Sequence, residues 1–183
     1  MKKQIISTVS LLTFAQFAGA QAPAAATPEQ LADGKKNYMM VCVACHQPTG
    51  LGLPSVFPPL TNSEYVAGSP ERYAAMILKG NAGPMTIHGK LYNNIMPGQE
   101  ALLTDEKIAS IMTYTRQSFG NNAPPVNPEL VAATRKKFAD RKTPWTEAEL
   151  KAWKDDAAPA ADASAGAATA PASPAPAAPA PAQ

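Results

Sequence analysis

Residues 42 to 46 read Cys42-Val43-Ala44-Cys45-His46, and this pentapeptide holds both cysteines of the 183-residue chain. In a Cys-x-x-Cys-His sequence the two thiols attach to the vinyl groups of a porphyrin, and the adjacent imidazole reaches its iron. The pentapeptide therefore predicts one covalently bound haem c, with Cys42 and Cys45 as the thioether residues and His46 as an iron ligand.

Three other sites could use the same residues. A disulfide would need no histidine and would close too small a loop to stabilise much. Zinc would require two further ligands, which the one other histidine of the chain, His88, cannot supply. A thioredoxin-like redox pair would sit in a βαβ pattern, which this sequence lacks. The haem interpretation is therefore favoured.

The opposite face of the iron has three candidate ligands, namely Met96, Met85 and His88. Met96 is favoured because it lies in a predicted loop and precedes Pro97 and Gly98, a setting that suits a thioether held toward a metal. Met85 is the next candidate. His88 precedes Gly89 and has a simpler explanation as a turn residue of a hairpin. A histidine and a methionine on opposite faces would leave no open position at the iron, so we predict one-electron exchange, with no catalytic residue and no enzymatic activity.

Composition restricts the other classes of function. The chain has 16 Lys and Arg against 14 Asp and Glu, and this near balance argues against binding of nucleic acid. Residues 1–20 combine Lys2 and Lys3 with an apolar run and a terminal Ala18-Gly19-Ala20. This order is typical of a cleaved signal peptide and predicts a periplasmic protein without stable membrane insertion.

Capping residues and breakers predict the secondary structure. Helices are expected at 28–41, from Pro70 to Gly80, from Thr104 to Gly120, at 128–139 and at 147–154, with a hairpin over 85–92. The fold class is thus all-α, with helices around one haem, a short β-hairpin and a helical C-terminal extension. The predicted organisation is a signal peptide (1–20), a flexible lead-in (21–27), a haem domain (28–120), the extension (121–156) and a disordered Ala/Pro-rich tail (157–183).

Across residues 28–120 the chain resembles the class I c-type cytochromes, in particular the small bacterial proteins with one haem. Gly34 and Tyr38 precede Cys42 at four-residue steps, as do the glycine and aromatic residue with which the first helix of that family crosses the last. Ile111 and Tyr114 stand where the last helix of the family meets that glycine. The loop Phe57-Pro58-Pro59-Leu60 resembles the segment whose proline carbonyl accepts the Nδ1 proton of the iron-binding histidine, which assigns this role to Pro58.

The resemblance implies a helical fold, an iron bound by His46 and Met96, and the role of an electron carrier. The implied partners are a respiratory or quinoprotein dehydrogenase as donor and an oxidase or another terminal acceptor, and the protein is expected to be a monomer. An alternative function is a haem-based sensor in which Met96 dissociates so that a small gas can bind. The predicted haem domain carries seven basic and seven acidic residues, so no dominant basic docking face is expected.

Overall fold

The computed structural model describes residues 25–155, so the predicted signal peptide and the predicted tail lie outside the described residues. The helices are α1 Pro28–Val41, α2 Val43–His46, α3 Glu64–Ala67, α4 Pro70–Lys79, α5 Asp105–Arg116, α6 Pro128–Lys137 and α7 Glu147–Lys151. The strands are β1 Gly80–Asn81, β2 Met85–Ile87, β3 Lys90–Tyr92 and β4 Met96–Pro97. The predicted fold class, all-α with a short hairpin and a helical extension, is confirmed.

Helices α1 and α7 begin where the capping residues predicted. Thr27 accepts a hydrogen bond from the backbone of Gln30, whose side chain in turn accepts one from the Thr27 backbone. Thr146 and Glu149 form the same capping box before α7. Each box satisfies backbone N–H groups that the first turn of a helix leaves without a partner.

Three helices end earlier along the chain than the sequence predicts. Helix α5 ends at Arg116 rather than Gly120, because Phe119 adopts a left-handed conformation with φ 59°. The Phe119 ring lies 5.5 Å, between centroids, from both Tyr38 and Tyr114. Helices α6 and α7 likewise end at Lys137 and Lys151 instead of residues 139 and 154.

The hairpin prediction is confirmed, and a second strand pair was not predicted. Strands β2 and β3 pair antiparallel, and the turn residues His88 and Gly89 have φ values of 50° and 71°. Strands β1 and β4 also pair, with Gly80 opposite Pro97 and Asn81 opposite Met96. This second pair attaches the segment that carries Met96 to the end of α4.

Helices α1 and α5 cross at Gly34. A Cβ atom at this position would lie 2.1 Å from the Ser110 carbonyl oxygen and 2.7 Å from the Cβ of Tyr114. Next to the crossing, the rings of Tyr38 and Tyr114 are 5.5 Å apart. The predicted contact at Tyr114 is confirmed, and Ile111 contributes to the cavity described below.

Gly34→Ala is therefore expected to destabilise the protein, although alanine favours a helix by up to about 1 kcal/mol relative to glycine. Overpacking typically costs about 1–3 kcal/mol, and here the contacted atom is backbone, which cannot rotate away. Chemical denaturation of the haem-loaded protein measures the effect. Lys35→Ala, at an exposed position of the same helix, is the control and should leave stability nearly unchanged. Equal stability of the two variants would contradict the close crossing.

Two clusters of buried side chains form the interior. The first lies around α4 and α5 and includes Val126 and Val131. The second joins the hairpin to Trp145 and Leu150. Both clusters thus contain residues from the extension as well as from the predicted haem domain. Among residues 25–155, no helix has the length and apolar character that crossing a membrane would require.

Two basic residues that were counted as surface charges are buried. Arg116 is 3% exposed and donates hydrogen bonds to the carbonyls of Val66, Gly68 and Pro124. Lys79 is 7% exposed and pairs with Glu100 at 2.6 Å. Burial lowers the pKa of Arg116. The two side chains therefore connect elements inside the fold and are not available to steer a partner.

Candidate haem site

The pentapeptide lies at a junction between two helices. Helix α1 ends at Val41, and Cys42 separates it from the one-turn helix α2, in which His46 is the last residue. The Cys42 carbonyl accepts hydrogen bonds from the backbone N–H groups of Cys45 and His46. The two cysteines form no disulfide, and both are of intermediate exposure. Burial raises the pKa of the Cys42 thiol to about 11, and the nearby Cys45 adds to this effect.

The imidazole of His46 is oriented by the loop that follows. Its Nδ1 atom lies 3.0 Å from the carbonyl oxygen of Pro58. Because a carbonyl oxygen can only accept, this contact places the proton on Nδ1 and leaves the Nε2 lone pair free. Burial lowers the pKa of His46, and the bond to Pro58 offsets part of that shift. The ring is therefore neutral at neutral pH, which is the form that binds a metal.

A cavity extends from this imidazole into the protein, and its empty space, including the part open to solvent, is about 710 Å³. Of the predicted site residues, Cys42, His46, Pro58 and Met96 line it. A second cavity, with about 480 Å³ of empty space measured in the same way, is lined by Cys45 and shares His46, Pro58 and Met96 with the first. The structure therefore brings all five predicted site residues to two adjoining cavities.

The cavities fit the predicted cofactor. Ligand sites in proteins are lined mainly by apolar and aromatic side chains. The larger cavity has this character, because apolar residues from α4, α5 and the hairpin line it, among them Ile77, Ile87 and Ile111. Imidazole nitrogen and thioether sulfur are both common axial ligands of haem iron. The residues present thus fit a haem, while their roles as ligands remain predictions.

Met96 and Met85, the two leading candidates for the distal ligand, differ in the partners of their side chains. Both line both cavities. The Met85 sulfur accepts a hydrogen bond from Asn81 Nδ2 at 2.9 Å, and the residue is only 4% exposed. Met96 is partly buried against the first core cluster. The hydrogen bond to Met85 Sδ occupies the sulfur of the less favoured candidate.

His88, the third candidate, lies elsewhere. It is exposed in the hairpin turn, and its Nε2 atom is 3.2 Å from the carbonyl oxygen of Asn62. It lines a separate cavity with Glu64 and Thr86, and it is not among the residues around the two cavities of the site. This placement agrees with the interpretation of His88 as a turn residue.

Tyr65 belongs to the site and was not singled out from the sequence. It is 3% exposed and lines the larger cavity, and its hydroxyl has no hydrogen-bond partner among the described residues. Burial raises the pKa of Tyr65, which keeps the hydroxyl protonated. By contrast, the hydroxyls of Tyr38 and Tyr73 already bond to the Gln47 carbonyl and to Thr115. No sequence pattern marks Tyr65, because it lies on a one-turn helix that was not predicted.

Comparison with known proteins gives three matches of particular interest. The family described as Cytochrome c matches residues 31–119. Cytochrome c-552 of Thermus thermophilus is 36% identical over 94 residues, which cover 49% of this chain and 70% of the relative. The cytochrome c subunit of a quinone alcohol dehydrogenase from Gluconobacter oxydans is 32% identical over 92 residues, which cover 50% of this chain but 19% of that subunit. The family match ends before α6 and α7 begin.

Proposed function

Because the chain belongs to the cytochrome c family, whose members carry electrons with a covalently bound haem c, we propose that it shuttles single electrons in the periplasm through an iron bound by His46 and Met96. The observation that carries this proposal is the cavity that Cys42, His46 and Met96 line together. The leader-like sequence of residues 1–20 supports the compartment.

Each predicted site residue has a distinct task in this proposal. When bound, haem supplies a one-electron redox centre. Cys42 and Cys45 hold it covalently, so the cofactor cannot be lost on dilution. His46 presents a neutral imidazole, and Pro58 keeps that ring in one orientation and makes it a better electron donor. Met96 would supply a neutral thioether sulfur as the second ligand. With His46 and Met96 both bound to the iron, oxygen and peroxide would find no open site there.

A dehydrogenase is the proposed donor, and an oxidase or another terminal acceptor is the proposed recipient. The relative from Gluconobacter oxydans, a cytochrome c subunit of a quinone alcohol dehydrogenase, supports this choice of donor. Interfaces for redox encounters are small, and opposite charges speed their formation. With Lys79 and Arg116 buried, residues 28–120 keep five basic and seven acidic side chains outside the core. A basic docking face on this part of the chain is thus even less favoured than the sequence suggested.

The proposal is tested on the secreted, purified protein. Its mass should exceed that of the mature chain by one haem, and the ferric form should show the weak far-red absorbance band of a methionine-bound iron. The ferrous form should bind carbon monoxide slowly. A colourless protein, or one with no far-red band and fast carbon monoxide binding, would contradict the proposed carrier. The second of these outcomes would favour the alternative of a haem-based sensor.

A further inference from the structure

The segment that carries Met96, here residues 96–103, has little regular structure of its own. Only Met96 and Pro97 belong to a strand, and a pair of two-residue strands is marginal in isolation. Beyond it, the backbone N–H groups of Gln99 and Glu100 bond to the carbonyls of Ile77 and Leu78 at the end of α4. Inside the segment, the Gln99 carbonyl accepts from the backbone of Leu102 and Leu103, so the position of Met96 depends on this turn and on what holds the segment from outside.

Arg135, in the last turn of α6, holds the far end of the segment. Its Nη1 donates to the Glu100 carbonyl at 2.7 Å and its Nη2 to the Leu103 carbonyl at 2.9 Å. Its Nε pairs with Asp105 at 2.8 Å. A planar guanidinium can span three acceptors in this way, whereas an ammonium group acts as a single point. One side chain of the extension thus joins the Met96 segment to the first residue of α5.

Trp145 supports the same segment from its other side. Its backbone N–H donates to the Gly80 carbonyl and its carbonyl accepts from Ala82, both at 2.9 Å. Strand β1 therefore lies between Trp145 and β4, so that it is flanked on both edges. The buried indole also donates to the Ala75 carbonyl at 3.0 Å. The extension thereby fixes the strand against which Met96 is paired.

We propose that Arg135 is a positioning residue for the distal ligand, so that the extension determines how firmly Met96 stays on the iron. This inference rests on the proposed function, because it requires Met96 to be that ligand. A thioether is a weak, neutral donor on a side chain with three rotatable bonds, so its attachment depends on how well the backbone is held. His46, by contrast, is held by its bond to Pro58 and lies next to Cys45, a proposed attachment point, and neither of these residues belongs to α6.

The test compares Arg135→Met with the unaltered protein, both as full chains carrying haem. Added imidazole competes for the methionine position, and its binding to the ferric form is followed by loss of the far-red band. Losing hydrogen bonds from a charged donor should speed this binding about tenfold. Arg135→Lys should be intermediate, because it keeps the charge near Asp105 but cannot reach both carbonyls. The haem content by mass should be unchanged in both variants.

Asn127→Ala is the matched control on the same helix. The Asn127 side chain caps the start of α6 through Leu130, two turns away from Arg135. Its removal should lower the melting temperature without changing imidazole binding. If this control speeds imidazole binding as much as Arg135→Met does, general loosening is the cause and the proposal is wrong.

The role proposed for Arg135 and the proposed function as an electron carrier are contradicted by different results. If Met96→Ala retains the far-red band, Met96 is not the ligand and the proposed function needs revision. If Met96→Ala loses the band while Arg135→Met binds imidazole at the unaltered rate, the carrier stands and Arg135 has no positioning role. Should Arg135→Met fail to accumulate with haem, Arg135→Lys carries the test, and an unaltered rate in that variant overturns the proposal.

Discussion

His46→Ala is expected to abolish reversible electron exchange at the native midpoint potential. The substitution removes the imidazole that Pro58 orients toward the cavity and leaves no other histidine there, because His88 lies in the hairpin turn. The axial ligands set haem potentials over a range of about 0.8 V, so loss of one should shift or eliminate the signal. Voltammetry measures the redox signal. The mass of the purified protein measures covalent attachment of the haem, which we also expect to be impaired.

His88→Asn is the control for this prediction. Asparagine tolerates the left-handed conformation that His88 adopts, so the turn should persist. The midpoint potential and haem content of this variant should match those of the unaltered protein. An unchanged midpoint potential in His46→Ala would refute the assignment of the proximal ligand.

Met96→Ala is expected to open the distal position. The ferric protein should lose its far-red band, the ferrous protein should bind carbon monoxide rapidly, and the midpoint potential should fall, because a methionine opposite a histidine raises it. Stopped-flow binding and voltammetry measure both effects. Met96 lines the cavity together with Met76 and Met85, so this variant is the sharpest test of which sulfur binds the iron.

Met85→Ala shows which of the two methionines, Met85 or Met96, binds the iron. Truncating a buried methionine typically costs about 2–5 kcal/mol, and Met85 is 4% exposed, so this variant should be less stable. It should nevertheless keep the far-red band and the potential, since its sulfur bonds to Asn81. If Met85→Ala loses the band and Met96→Ala keeps it, the two assignments must be exchanged.

Local chemistry made much of the helical framework predictable. The Thr27 and Thr146 capping boxes and the prolines at the first helical positions act within one turn, so the sequence around them is sufficient. The hairpin turn is predictable for the same reason, because Gly89 adopts a positive φ at no steric cost.

Contacts between distant residues were not predictable. Strands β1 and β4 have two residues each, too few for a periodic pattern, and they exist because Asn81 and Met96 meet in space. Lys79 and Arg116 have no sequence feature that marks them as buried, since their partners Glu100 and Val66 are supplied by the fold. Helix α5 ends early because Phe119 turns back onto Tyr38, a residue of another helix.

In the candidate site, too, the residues of a local motif were predictable and those that depend on distant contacts were not. Cys42, Cys45 and His46 follow from one contiguous motif, and Pro58 followed only from the resemblance to a family. Tyr65 could not be found, because its relation to the cavity depends on the packing of α3. The contribution of Arg135 depends on carbonyl groups, which every residue possesses and which no sequence can mark.

The side of the cavity with His46 and the side with Met96 are held by contacts that differ greatly in their separation along the chain. His46 and Pro58 are 12 residues apart, whereas Arg135 reaches back 35 residues to Glu100, and Trp145 reaches back to Gly80. Short loops close at a lower entropic cost than long ones, and nearby contacts tend to form first. We therefore expect a newly made polypeptide to organise the side of the cavity with Cys42 and His46 early. The side with Met96 should be completed only when helices α6 and α7 dock.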